Sequence, residues 1–127
     1  MASRQAPDAV VRFWDALERK DLDGATAFLH EAFVEDWPQS GERIVGADDW
    51  LRMATHHPTF PAVQVTRTTG CDDTWIVEAD FRYVPDEGPW RVCALHEIRD
   101  GRIAKITEYF GAPFEAAEWR SDWVERI

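Results

Sequence analysis

Residues 90–110 read WRVCALHEIRDGRIAKITEYF, two alternating runs at 90–99 and 102–110 joined by Asp100-Gly101. An Asp-Gly pair between β-prone runs favours the tight turn of an antiparallel hairpin, because both residues accept positive φ. Setting Arg99 opposite Arg102 and alternating outward puts Cys93, Leu95, Glu97, Ala104, Ile106, Glu108 and Phe110 on one face. Trp90, Val92, Ala94, His96, Ile98, Ile103, Lys105, Thr107 and Tyr109 fall on the other. Both faces are substantially apolar, so the hairpin is expected to be covered twice, by the domain's own helices and by a second copy of the chain.

Working back from the hairpin, residues 75–83 alternate cleanly: Trp75, Val77, Ala79, Phe81 and Tyr83 share one face, and Glu78, Asp80 and Arg82 the other. Residues 62–70 are a further β-branched run, ended by Gly70. The first half of the chain reads differently. Val10, Phe13, Trp14 and Leu17 recur at helical spacing over 7–20, with Pro7 suited to the first turn. Asp21-Leu22-Asp23 interrupts that pattern, and a shorter helix is expected from Leu22 to about His30. Phe33-Val34 predicts a brief strand. Ala47, Trp50, Leu51 and Ala54 predict a third helix over 46–56, bounded by Pro58. Beyond Pro113 the spacing of Ala116, Trp119, Trp123 and Ile127 predicts a terminal helix anchored by its tryptophans. Helices followed by antiparallel strands imply an α+β fold, read as one domain over 1–127.

Composition limits the function classes. The 127 residues carry 14 basic and 24 acidic side chains, a net charge of -10 that disfavours phosphate backbones and anionic membrane surfaces as partners. No apolar run approaches the roughly 18 residues of a membrane span, and the amino terminus lacks an apolar leader, so a cytoplasmic location is expected. Cys71 and Cys93 form no metal-ligand spacing and are expected to be reduced, partly buried thiols, with no metal or cofactor. No phosphate-cradling glycine motif, GxSxG or HExxH occurs. Seven Trp and seven Phe against two Tyr suggest rings that line a cavity.

Two carboxylates have a positional case for chemistry. Asp36 lies between Phe33-Val34 and Trp37; pointing inward, it would be desolvated into the range useful for proton transfer, and pointing outward it would cap a turn before Pro38. Glu108 shares its expected face with Glu97, and either could instead meet Arg91 in a structural pair. His56 and His57 close the third helix, where the dipole favours a cation, and one turned inward would be a proton donor near neutrality. His96 is expected on the face opposite Glu108, as a structural or interface residue. Trp50 and Trp75 read as core.

The element order, together with RKDLDG at 19–24, VEDWPQSGER at 34–43 and RDGRI at 99–103, resembles the nuclear-transport-factor-2-like superfamily, and within it the SnoaL-like polyketide cyclase branch. The resemblance spans nearly the whole chain. It implies a cone-shaped curved antiparallel sheet wrapped around N-terminal helices, an enclosed apolar pocket and a homodimer through the outer sheet face. Beside the ketosteroid isomerases of that superfamily, Val34-Glu35-Asp36 resembles the segment holding the proton-shuttling Asp, which implies Asp36 as base. The family's two oxyanion donors fall on Phe13 and Leu95, neither of which donates, and this argues against that same reaction. Glu108-Tyr109-Phe110 is similar to a segment of limonene-epoxide hydrolases, whose Arg-x-Asp motif is missing at Glu78-Ala79-Asp80.

The leading expectation is a cofactor-independent proton-transfer enzyme of isomerase, cyclase or lyase type, acting on a small apolar carbonyl compound. Asp36 and Glu108 would be catalytic, with Trp14, Trp37, Met53, His56, Phe81, Leu95 and Phe110 walling the pocket. A non-catalytic binding module for a hydrophobic small molecule, an epoxide hydrolase-like enzyme and a structural dimeric protein are the alternatives.

Overall fold

The computed structural model describes residues 5–127; the leaderless reading of the amino terminus rests partly on residues 1–4, outside the described part. Helix α1 (Asp8–Glu18) buries the stripe of Ala9, Val10, Phe13, Trp14, Ala16 and Leu17. Lys20 takes a left-handed conformation (φ 60°) just beyond it, and Asp21 caps the next helix by accepting the Gly24 N–H at 3.0 Å. That helix, α2 (Leu22–Ala25), is shorter than its periodicity predicts. After a 3-10 turn at Thr26–Phe28 the chain straightens into β1 (Leu29–Trp37), a nine-residue strand in place of the brief one expected at Phe33-Val34. The cause is non-local: β1 runs parallel to the last strand, with Leu29 opposite Ile103 and Glu35 opposite Ile106. Such pairing overrides local helix preference.

A turn leads to β2 (Glu42–Val45), which sequence patterning did not reveal. Gly46 then adopts φ +88°, a conformation glycine takes without strain, and opens α3 (Ala47–His56). The remaining strands are β3 (Ala62–Cys71), β4 (Thr74–Arg82), β5 (Trp90–Arg99) and β6 (Arg102–Gly111). Together they form one curved, unclosed sheet in the order β2-β1-β6-β5-β4-β3, antiparallel throughout except between β1 and β6. The helices cover its concave face, and the core of Phe13, Trp14, Phe33, Trp75, Val77, Ile103 and Ile106 lies between them. The fold is α+β.

The hairpin at 90–110 closes as its sequence predicts: Asp100 and Gly101 have φ of 51° and 73°, and Arg99 pairs with Arg102. The faces do not follow. Ile98 pairs with Ile103 but Glu97 with Lys105, so Ala104 is an extra residue bulged between them. A one-residue bulge reverses which side chains share a face beyond it. Val92, Ala94, His96, Ile106, Glu108 and Phe110 therefore all point inward, where the simple alternation divides them between two faces.

The outward residues of this hairpin are Arg91, Cys93, Leu95, Glu97, Lys105, Thr107 and Tyr109; of the apolar outer face expected around Val92, Ala94, Ile98, Ile103 and Tyr109, only Tyr109 points outward. Ion pairs cross that face, Arg91 to Asp80 at 2.8 Å and Lys105 to Asp36 at 3.6 Å. Beyond β6 only a 3-10 turn, Glu118–Trp123, forms where a terminal helix was expected. Trp119 and Trp123 are 76% and 78% exposed, so the expected anchoring of a terminal helix by its tryptophans is not seen among the described residues. Cys71 and Cys93 are free thiols; Cys71 is exposed rather than partly buried. Among the described residues no helix is long and apolar enough to cross a membrane.

Candidate active site

Strand alternation along β1 turns Phe33, Glu35 and Trp37 toward the helices and Val34 and Asp36 away from them. The inward carboxylate is thus Glu35, 3% exposed, and not its neighbour. From the adjacent strand β6, Glu108 enters the same space and is 8% exposed. The two carboxyl groups meet at the floor of a cavity of about 480 Å³. Its walls are largely aromatic: Phe13 from α1, Trp37 from β1, Trp50 from α3, Phe81 from β4 and Phe110 from β6, with Tyr83 and Trp90 nearer the rim.

The polar partners at the floor are indoles. Trp37 donates its Nε1–H to Glu108 Oε1 at 3.2 Å, and the Trp37 and Trp50 side chains also hydrogen-bond Glu35. Burial, and then the charge of Glu108, hold Glu35 well above the usual carboxylate range. Burial likewise pushes Glu108 up to about 7, against the opposing pull of its hydrogen bonds to Trp37 and Glu35. Two touching carboxyls in an apolar cavity do not both ionise, so near neutrality they share one proton. One group is then a donor and the other an acceptor. Tyr83 faces the same cavity, and burial together with the Glu108 charge keeps its phenol protonated, a further donor.

Beneath the cavity, Trp14 Nε1–H donates to His96 Nε2 at 2.9 Å while His96 Nδ1–H reaches the Trp75 carbonyl at 3.0 Å. Both ring nitrogens are engaged, and burial lowers the imidazole to about 4, so His96 is a neutral strut of the core.

Several residues expected at the site lie elsewhere. Asp36 faces outward, gripped by Arg43 through Nε at 2.5 Å and Nη2 at 2.9 Å and flanked by Lys105. The Arg43 hydrogen bond holds its carboxyl below the ordinary value, the opposite of what a general base near neutrality needs. Trp14 is buried under the cavity rather than lining it, because its indole is committed to His96. Leu95 points to the outer face, opposite Ile76 of β4, and the Ala104 bulge in β6 is what parts it from Glu108. His56 is exposed, with Nδ1 2.7 Å from the Arg52 carbonyl oxygen. Glu108, Trp37, Met53, Phe81 and Phe110 do line the cavity.

Glu35, Tyr83 and Trp50 line it without having been singled out as site residues, and of the two histidines that close α3 it is His57, not His56, that lines it. The sequence signal for Glu35 is the alternation Phe33, Glu35, Trp37. His57 stacks on Tyr83 with ring centroids 5.7 Å apart, a contact no local pattern reveals.

The model of the SnoaL-like domain matches residues 10–106. An NTF-2 like protein of unknown function from Burkholderia xenovorans LB400 is 36% identical, with 94% of this chain and 93% of that one covered and a TM-score of 0.82. A putative ketosteroid isomerase from Kribbella flavida DSM 17836 is 26% identical over 94% of this chain and 87% of that one, also at 0.82. An LEH-like epoxide hydrolase of M. tuberculosis is 27% identical over 80% and 79%, with a TM-score of 0.64. No curated protein matches the chain.

Proposed function

The chain belongs to the SnoaL-like domain family of NTF2-like proteins, and we propose that it is a cofactor-independent proton-transfer enzyme acting on a small apolar carbonyl compound. The observation that carries this reading is the contact of two buried carboxyls, Glu35 and Glu108, in an aromatic cavity that offers them no cationic partner among the described residues. In this mechanism the ionised carboxylate, Glu108, removes the proton from the carbon beside the carbonyl. The protonated Glu35 donates to the carbonyl oxygen as the C–H electron pair moves into the new C=C bond, giving an enol. Returning a proton to a different carbon yields an isomer, and attack of the enol on a second carbonyl closes a ring. Tyr83 is positioned as a further donor to the developing oxyanion, in a cavity where such donors act with little competition from water.

Proton exchange is the simplest measurable form of this chemistry. An apolar aryl ketone such as indanone, held with the protein in deuterated water and followed by NMR, should exchange its α-protons faster than in buffer. Glu108→Gln and Glu35→Gln should each lower that exchange about a hundredfold or more. Exchange that persists in both variants overturns the assignment. Ligand binding without any exchange would favour the second reading, a non-catalytic binding module, for which the large apolar wall area speaks.

An LEH-like epoxide hydrolase among the solved relatives motivates a third assay. The same pair contains the acid that protonates an epoxide oxygen and the base that activates water. Diol formation from an apolar epoxide, in place of ketone exchange, would assign the site to that chemistry.

A further inference from the structure

The charged groups around the cavity are unevenly distributed. Among the described residues that line it, Glu35, Glu42 and Glu108 carry carboxyls, His57 is the single basic side chain, and there is no Lys or Arg. The cations nearest in sequence are spent on the opposite sheet face, where Arg43 and Lys105 both hold Asp36. Glu35 and Glu108, each more than nine-tenths buried, therefore have indole N–H groups as partners but no counter-charge. A buried carboxylate without a counter-ion is costly. Around it stand rings whose negative faces favour a cation: Trp37, Trp50, Phe81, Tyr83, Trp90 and Phe110.

We infer that this cavity is a receptor for hydrophobic organic cations, quaternary or protonated tertiary ammonium groups that seat against Glu35 and Glu108 with their substituents among the rings. The ammonium supplies the counter-charge that the fold withholds, and the rings replace its water. Anionic molecules meet carboxyls with no basic partner and are excluded. The inference rests on the cavity being a ligand site but not on turnover, so ketone exchange and cation binding fail independently of one another.

Three near-isosteric probes differing in charge test it by tryptophan fluorescence on the intact protein: benzyltrimethylammonium, uncharged neopentylbenzene and anionic phenylmethanesulfonate. At pH 8 the cation should bind about tenfold or more tighter than the neutral probe, and the anion should not bind measurably. Lowering the pH to 5 should erase that preference, since the Glu35–Glu108 pair then keeps both protons. The other titratable groups facing the pair are His57 beyond α3, Tyr83 beyond β4, Glu42 on β2 and His96 on β5. Of these, His96 has both ring nitrogens engaged. Glu108→Gln should lower cation affinity about tenfold while leaving the neutral probe unchanged; the probe comparison on the unmodified protein stands even if that variant folds poorly. Equal affinity of cation and neutral probe at pH 8, measurable binding of the anion, or an undiminished cation preference in a folded Glu108→Gln variant would each overturn the inference.

Discussion

Trp37 donates its indole N–H to Glu108 across 3.2 Å, joining the end of β1 to β6 at the cavity floor. This bond favours the ionised form of Glu108, opposing the larger effect of burial. Trp37→Phe keeps most of the ring and removes the donor. Glu108 should then hold its proton to higher pH, so the pH profile of ketone exchange moves upward and activity at neutral pH falls roughly tenfold. A profile with an unmoved midpoint would show that the indole is only a wall.

Stability should depend on pH with two opposing signs. His96, lowered to about 4, binds its proton more readily unfolded, so its contribution is full above about 6.5 and is lost as pH falls toward 4, a loss of roughly 3 kcal/mol. Glu35 and Glu108, both raised, contribute stability that is present below their unfolded values and lost as pH rises through their folded ones, about 7 for Glu108. Two raised acids outweigh one lowered histidine, so urea denaturation should find the protein less stable at pH 7 than at pH 5. In the Glu35→Gln, Glu108→Gln double variant only the histidine contribution remains, and the slope should reverse.

Asp36 lies on the outer face, paired with Arg43 and Lys105. Asp36→Asn should leave ketone exchange within about twofold of the original rate, since surface changes of this kind shift free energies by about 0.5 kcal/mol or less. A loss comparable to that of Glu108→Gln would return the base to Asp36.

Gly46 opens α3 at φ +88°, and an added Cβ there would meet nothing within 4 Å. The cost of Gly46→Ala is therefore conformational rather than steric, about 1 kcal/mol in denaturant unfolding. Because α3 carries Trp50 and Met53 into the cavity, exchange activity checks whether the helix also shifts.

Much of this molecule is local and was legible as such. The helical stripes of α1 and α3, the alternation of β4 and the Asp100-Gly101 turn all depend on residues within a few positions of one another. Their physics, periodic burial and backbone conformational preference, is written in short windows of sequence. Glu108 and the rings of Trp37, Phe81 and Phe110 were readable because each sits in such a window.

What the windows could not decide was which carboxylate faces inward and what it meets there. Side-chain direction in a strand depends on register, and here register depends on a parallel partner far along the chain and on one bulged residue, Ala104. The adjacent buried pair Ile103-Ala104 is the trace that bulge leaves in the sequence. By itself the sequence determined an α+β domain with a ring-rich interior and surplus acid. Only the tertiary structure turned Asp36 out to Arg43 and Glu35 in to Glu108, because a carboxyl's proton affinity is set by the solvent it loses and the charges it approaches, and both come from distant strands.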